Sequence, residues 1–441
     1  MTLLAQYPAS SKKKKRYRFK LSYSTLSLVL IVDQLLLPMF HIGEVSFKIG
    51  YIILGVWLIN WLNSSRKNVD ETKDIKQVIG VFSVIVSCSI LGEMWLASSY
   101  NVPSYADTLR NITAFIFASL AFGLGRSSKR FRFEWLLTIL FWAIALNFAF
   151  IIFKNDLPSW LISFYYPEKA TSDSVGFQSV EDIIALARPR GLFGNPNASM
   201  LMVNIIVLAI CIALKKKILV IKSLYSAVSL IIFPVLLAVL LASRGEILVS
   251  CVLGFLNFKN LRNNFGSSLK SILILIAVSF AIATTFLLGS LGDNFSSNLE
   301  RALTMTKILD NNEHEESNIA RPLIQYNTFI DRFQKSPIFG TGISSADDIQ
   351  FSQGTQYFHN DWFYVATTSG IIGFFSIVWL MSLLVQRLGW PVIIPFFFPG
   401  LVNTFVLNVP AFIGYFGMMG ILLASMQFRL NFNYRKGSRN L

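Results

Sequence analysis

The chain has 441 residues, 54% of them hydrophobic and only 14% charged, with a formal net charge of +15 and a mean hydropathy of +0.55. That composition excludes an ordinary soluble globular protein and indicates a polytopic membrane protein. It also makes nucleic acid a poor partner, because basic residues beside apolar runs serve orientation and contact with anionic lipid.

The first residues, with SSKKKKRYRFK inside a basic segment at 1–20, read as a positive-inside anchor. No small-residue cleavage site follows the first apolar run, so a retained helix is expected rather than a removed signal peptide. Apolar stretches of roughly 17–25 residues are long enough to cross a bilayer as helices. Twelve are read, at about 21–41, 45–62, 78–98, 108–125, 135–153, 197–214, 223–242, 246–258, 271–291, 362–385, 391–408 and 410–427. The eighth is short, which leaves crossing and re-entry both open. The runs are continuously apolar rather than alternating, which argues against a β-barrel. The expected fold is thus an all-α integral membrane protein, with one transmembrane domain over 21–427 and a cytoplasmic tail at 428–441.

Charge placement sets the expected topology. With the N-terminus inside, the cytoplasmic segments are 1–20, 63–77, 126–134, 215–222, 259–270, 386–390 and 428–441. They hold 27 of the 39 Lys and Arg but only four acids, Asp70, Glu71, Asp74 and Glu134. That bias places both termini in the cytoplasm. Cys88, Cys211 and Cys251 fall within predicted spans and read as buried small apolar residues, without disulfide or metal spacing.

Two connections are long, 154–196 and 292–361, and both fall on the outer side; long loops in compact proteins are usually functional or disordered. In the first, Trp160, Tyr165 and Tyr166 suit a membrane interface. The second opens with the solvated stretch DNNEHEESN and continues NIARPLIQYNTFIDRFQKSPIFGTG. Ile319, Leu323, Tyr326, Ile330 and Phe333 form one apolar helical stripe, with Pro322 suited to the first turn and Pro337 with Gly340 ending the helix. An amphipathic helix on the outer surface of the bundle is expected.

Three polar clusters carry candidate chemistry. In RPRGLFGNPN, Asn195 suits an N-cap and Pro196 a first helical residue, leaving backbone N–H groups and a positive dipole end facing outward. Arg188 and Arg190 offer planar forks for bidentate phosphate binding, and Gly191 allows close backbone approach. Two readings stand: a phosphate receptor, or a capped helix with arginines reaching lipid headgroups. Arg244, in SRG at the outer end of the seventh span, carries the same alternatives. Arg321 opens the loop helix. In YFHNDWFYVATTSGIIG, His359 titrates near neutrality and can take a proton from an attacking hydroxyl, although most lone histidines are structural. Asn360 or Asp361 would cap the tenth helix.

RPRGLFGNPN, SRG, ARPLIQYNTFIDRFQKSPIFGTG and HNDWFYVATTSGIIG occur in this order within a twelve-span chain. That order, over roughly 185–375, resembles the O-antigen ligase and O-antigen polymerase superfamily of bacterial membrane glycosyltransferases. The resemblance implies an undecaprenyl-diphosphate-linked saccharide donor, a saccharide, lipid or protein acceptor, and an active site on the outer face of the plasma membrane. It implies catalytic roles for Arg190, Arg244, Arg321 and His359, and beside them Arg188, Gly191, Asn195, Asn197 and Asn360 are the candidate substrate-binding residues. Gln325 stands four residues after Arg321, where ligases often carry leucine, while Gly370, eleven after His359, agrees with the broader superfamily pattern. No outer Asp-x-Asp cluster is present, so arginines in place of a metal are expected to stabilise the departing diphosphate, and no cofactor is implied. A transporter or flippase would instead place functional charges at mid-membrane depth, where only Asp33 and Glu93 clearly lie. A non-catalytic scaffold would tolerate polar substitutions in the second loop freely.

Overall fold

The computed structural model describes residues 22–38, 40–42, 45–64, 69–96, 105–153, 158, 192, 196–241, 243, 245–262, 264–265, 320–342, 349–351, 354–356, 360–397, 405–406 and 408–437. Helices run over Tyr23–Leu35, Ile49–Leu62, Val69–Leu96, Tyr105–Ser127, Glu134–Ile152, Pro196–Lys215, Leu224–Leu240, Ala320–Lys335, Asp361–Leu388 and Val409–Gly437, with a further one over 245–262. Among the described residues, five helices are long and apolar enough to cross a membrane: Val69–Met94, Glu134–Ile152, Asn197–Lys215, Asp361–Leu388 and Val409–Arg429. Shorter apolar helices, Tyr23–Leu35, Ile49–Leu62, Ile112–Ser127 and Leu224–Leu240, occupy further expected spans. Two three-residue hairpins, Phe40–Ile42 with Val45–Phe47 and Ile349–Phe351 with Gly354–Gln356, sit in connections. The ninth expected span, 271–291, the basic segment 1–20 and most of both long loops lie outside the described residues.

The first two helices are tied end to end by a reciprocal polar exchange. Lys48 Nζ donates to the carbonyls of Asp33, Gln34 and Leu37 at 2.7, 3.2 and 2.6 Å, taking up orphan acceptors where the first helix ends. In return, Asp33 Oδ2 accepts from the Gly50 amide at 2.9 Å, at the start of the second. Asp33 thus serves as a helix-end partner, which removes one of the two intramembrane charges a transporter reading would use.

At the opposite ends of other helices, three segments assigned to one side by charge come together with Gln427, the last residue of the twelfth expected span. Arg126 Nε and Arg387 Nη1 both donate to the Asp74 carboxylate. Arg126 also donates to Gln427 Oε1, Gln427 to Asp70 Oδ2, and Ser127 Oγ to Glu71 Oε1. Three of the four acids in the segments read as cytoplasmic therefore bind the helix ends together. Asp74 and Arg126 side chains are each only 4% exposed. Asp74→Ala would leave Arg126 buried without its carboxylate, and is expected to lower unfolding stability in detergent by about 3–5 kcal/mol. Stability unchanged in a denaturation series would mean that the network holds nothing.

In membranes, helices associate through close packing of small residues rather than through water exclusion. Accordingly a Cβ on Gly125 would meet the Gly417 carbonyl oxygen at 2.2 Å, and one on Gly420 the Phe122 carbonyl at 2.3 Å. The Tyr105–Ser127 and Val409–Gly437 helices touch backbone to backbone there, beneath an aromatic cluster of Phe82, Phe115, Phe412 and Phe416.

Two expectations need correction. Residues 391–408 were expected to form one continuous span, but the described part holds short helical turns, Trp390–Ile393 and Ile394–Phe397, and a separate turn at 405–406. Pro391 and Pro395 remove helical donors, and the Phe405 and Val406 amides bond the Asp361 carboxylate instead of helical carbonyls. Cys251 is exposed rather than buried, while Cys88 and Cys211 are buried as expected. In a membrane chain an apolar outward position is solvated by lipid, so apolarity alone does not imply burial.

Candidate functional site

Two of the polar motifs meet where the Pro196–Lys215 helix begins. Pro196 is its first residue, as its fixed φ and missing N–H favour. Just upstream, Leu192 is fully buried. Its amide donates to Asn147 Oδ1 at 2.8 Å, pinning Leu192 to the Glu134–Ile152 helix. Ser243 Oγ, beside Arg244, donates to Asn197 Oδ1 at 2.6 Å, so the SRG and Gly-Asn-Pro-Asn motifs are in direct contact. About two turns further along this helix, Asn204 Nδ2 donates to Glu246 Oε2 at 2.6 Å and Ser250 Oγ to Asn204 Oδ1 at 2.9 Å. All three of these side chains are buried. Arg188, Arg190, Gly191, Asn195 and Arg244 lie outside the described residues. Asn197, expected in substrate binding, has its side-chain oxygen engaged by Ser243.

The other two motifs form a second junction. The Asp361–Leu388 helix is broken at Gly370, whose φ of 64° and ψ of −166° no L-residue with a side chain readily adopts. Residues 337–342, directly after the Ala320–Lys335 helix, fill the break. The Thr341 amide donates to the Thr367 carbonyl at 2.7 Å, Gly342 to Thr368 at 3.2 Å, and Ile371 to Pro337 at 2.9 Å. A Cβ on Gly370 would lie 2.2 Å from the Ile338 carbonyl oxygen, and one on Gly340 would lie 2.4 Å from the Thr368 carbonyl carbon. The bend brings the Trp362 and Phe374 rings to 5.8 Å, although residues twelve apart in a straight helix are separated by roughly 18 Å along its axis. Broken backbone at membrane depth is tolerated where protein satisfies its hydrogen bonds, and here the loop does so.

The start of this half-helix is fixed twice. Asn360 is the N-cap, its Oδ1 accepting from the Trp362 and Phe363 amides at 2.9 and 3.2 Å. Asp361 is left to receive the Phe405 and Val406 amides at 3.1 and 3.0 Å. His359 itself lies outside the described residues, one position before this cap. The Ala320–Lys335 helix packs alongside, with Phe329 stacked on Phe363 at 4.7 Å.

Two polar positions of the loop helix are taken into the protein. Its buried residues include Gln325 and Arg332, whereas Tyr326, in the apolar stripe, is 49% exposed. The rest of the described stripe, Phe329, Ile330 and Phe333, is half-buried, and the polar residues Asn327, Asp331, Gln334 and Lys335 are exposed. Arg321 stands four residues before Gln325 in this helix, and its side chain lies outside the described residues. Sequence reasoning missed Asn147, Asn204, Glu246 and Arg332. The first two had a usable signal, a lone amide inside an apolar span, but nothing local names their partners. Among the described residues, no group of three or more His, Cys, Asp and Glu could hold a metal ion.

These features define a multi-pass helical membrane protein whose irregular, polar elements gather where its helices begin. Residues 227–380, about a third of the chain, match the family model described as O-antigen ligase, which supports the resemblance to the O-antigen ligase superfamily. The matched segment contains the SRG motif, the loop helix and the broken helix as far as residue 380. No curated protein matches the chain. At a coarse level the family supports a membrane saccharide-transfer role in O-antigen or polysaccharide biosynthesis, with a lipid-linked saccharide and an acceptor as partners.

Proposed function

We propose that this protein transfers a saccharide from an undecaprenyl-diphosphate-linked donor to an acceptor hydroxyl at the outer face of the bacterial plasma membrane, in a twelve-span topology with both termini inside. The observation that carries this reading is the Ser243–Asn197 hydrogen bond, which holds the motifs bearing Arg244 and Arg190 together. In the proposed chemistry the acceptor oxygen forms a bond to the anomeric carbon as the bond to the diphosphate oxygen breaks. The leaving diphosphate gains negative charge, which Arg190, Arg244 and Arg321 stabilise without a metal, with Arg188 assisting. His359 takes the hydroxyl proton. Direct displacement inverts the configuration at that carbon.

The test is transfer by the purified protein in detergent with a lipid-linked oligosaccharide donor; absence of transfer across donors and acceptors would favour transport or scaffolding. Arg190→Lys keeps the charge and loses the fork. It is expected to reduce transfer about a hundredfold, and undiminished activity would show that bidentate geometry is not needed there. Within this reading, ligase and repeat-unit polymerase differ in acceptor, and Gln325 in place of the leucine common in ligases favours keeping the polymerase alternative. Accumulation of single lipid-linked repeats on deletion identifies a polymerase; long unligated chains identify a ligase.

A further inference from the structure

We infer that Glu246 is a positioning residue: through Asn204 it locks the helix that starts at Gly245, next after Arg244 in the chain, against the helix that starts at Pro196. The inference rests on the diphosphate-binding reading above and extends it to residues that no motif marked. The contact between the two helices is a polar seam. Ser243 meets Asn197 at 2.6 Å, Asn204 meets Glu246 at 2.6 Å, and Ser250 meets Asn204 at 2.9 Å. Ser243, Asn204, Glu246 and Ser250 are all at most 3% exposed. The seam runs from the start of both helices, its two contacts on the Pro196–Lys215 helix lying about two turns apart, and Arg244 immediately precedes the first helical residue of the other helix, Gly245.

Two physical points make this a positioning device rather than general stabilisation. Between membrane helices, apolar contacts give little preference for one register over another, because lipid is as apolar as the neighbouring helix. A single buried polar pair penalises every other register, since a slip strands its groups in an apolar surrounding. Two arginines that must grip one diphosphate need that register, because a displacement of about 1 Å at a reacting centre can cost on the order of a hundredfold. Asn204 is suited to the role, with its amide donating to Glu246 while its oxygen accepts from Ser250.

The experiment measures the Kd of undecaprenyl diphosphate for the full-length protein in lipid nanodiscs. Glu246→Leu and Asn204→Leu are each expected to weaken binding about tenfold or more, with thermal stability in the nanodisc retained. Glu246→Gln keeps an acceptor for Asn204 and is expected to bind like the unaltered protein. Asn204→Asp sets two carboxyl groups against each other and weakens binding. Adding Glu246→Gln restores it, because the glutamine amide donates to the new carboxylate while Ser250 keeps its acceptor. The inference is overturned if the leucine variants bind normally, if Glu246→Gln is as weak as Glu246→Leu, or if the double variant is not restored. Failure of the unaltered protein to bind undecaprenyl diphosphate overturns the diphosphate reading itself, a different and separately visible result.

Discussion

His359→Ala is expected to abolish saccharide transfer while the protein stays in the membrane at normal level and lipid-linked donor accumulates. A positioned general base contributes about 10²–10⁴ in rate, so residual transfer should fall by at least the lower figure. Loss of folding is not the expected cause, because the helix start is held by Asn360 and Asp361, both retained in this variant. The measurement pairs product formation by purified protein with membrane abundance. Normal product at normal abundance would remove His359 from the mechanism.

The largest structural effect is expected from Gly370→Ala. The backbone there sits at φ 64°, and a Cβ would approach the Ile338 carbonyl oxygen, its carbon and the Gly340 amide nitrogen at 2.2, 2.4 and 2.6 Å. All three are main-chain atoms, so no flexible side chain can give way. Strain of about 1–3 kcal/mol from the dihedral alone adds to the cost of expelling residues 337–342 from the break. The variant is expected to show sharply reduced membrane abundance and new protease sensitivity at 337–342. Gly55→Ala is the matched control, because nothing lies within 4 Å of a Cβ there. It lies inside the Ile49–Leu62 helix, where alanine is favoured over glycine by about 1 kcal/mol. Equal behaviour of the two variants would show that the break at Gly370 is not needed.

The two variants probe parts of the chain that differ in how legible they are from sequence. In the sequence Gly370 stands out only by lying eleven residues after His359, in agreement with the superfamily pattern; its physical role lies in the helix break that residues 337–342 fill. The loop helix was expected, and its end before Pro337 follows from proline chemistry. The burial of Gln325 and Arg332 was not, because nothing local marks which polar residues of a helix are taken into protein contacts. Asp33 looked like an intramembrane charge awaiting a function, and its partners at Gly50 and Gln34 make it a helix-end tie.

What the sequence alone determined was the membrane class, the positions of most helices and the clustering of arginines, glycines and histidine into ordered motifs. These are properties of hydrophobic length, charge bias and local backbone chemistry, all of which act over a few residues. The tertiary structure decided which motifs touch: Asn197 with Ser243, residues 337–342 with the Gly370 break, and Asp361 with residues 405–406. Such pairings join residues tens of positions apart, and their partners are chosen by the satisfaction of buried polar groups in the assembled bundle. No local pattern encodes that choice, because each group accepts many partners until packing leaves only one within reach.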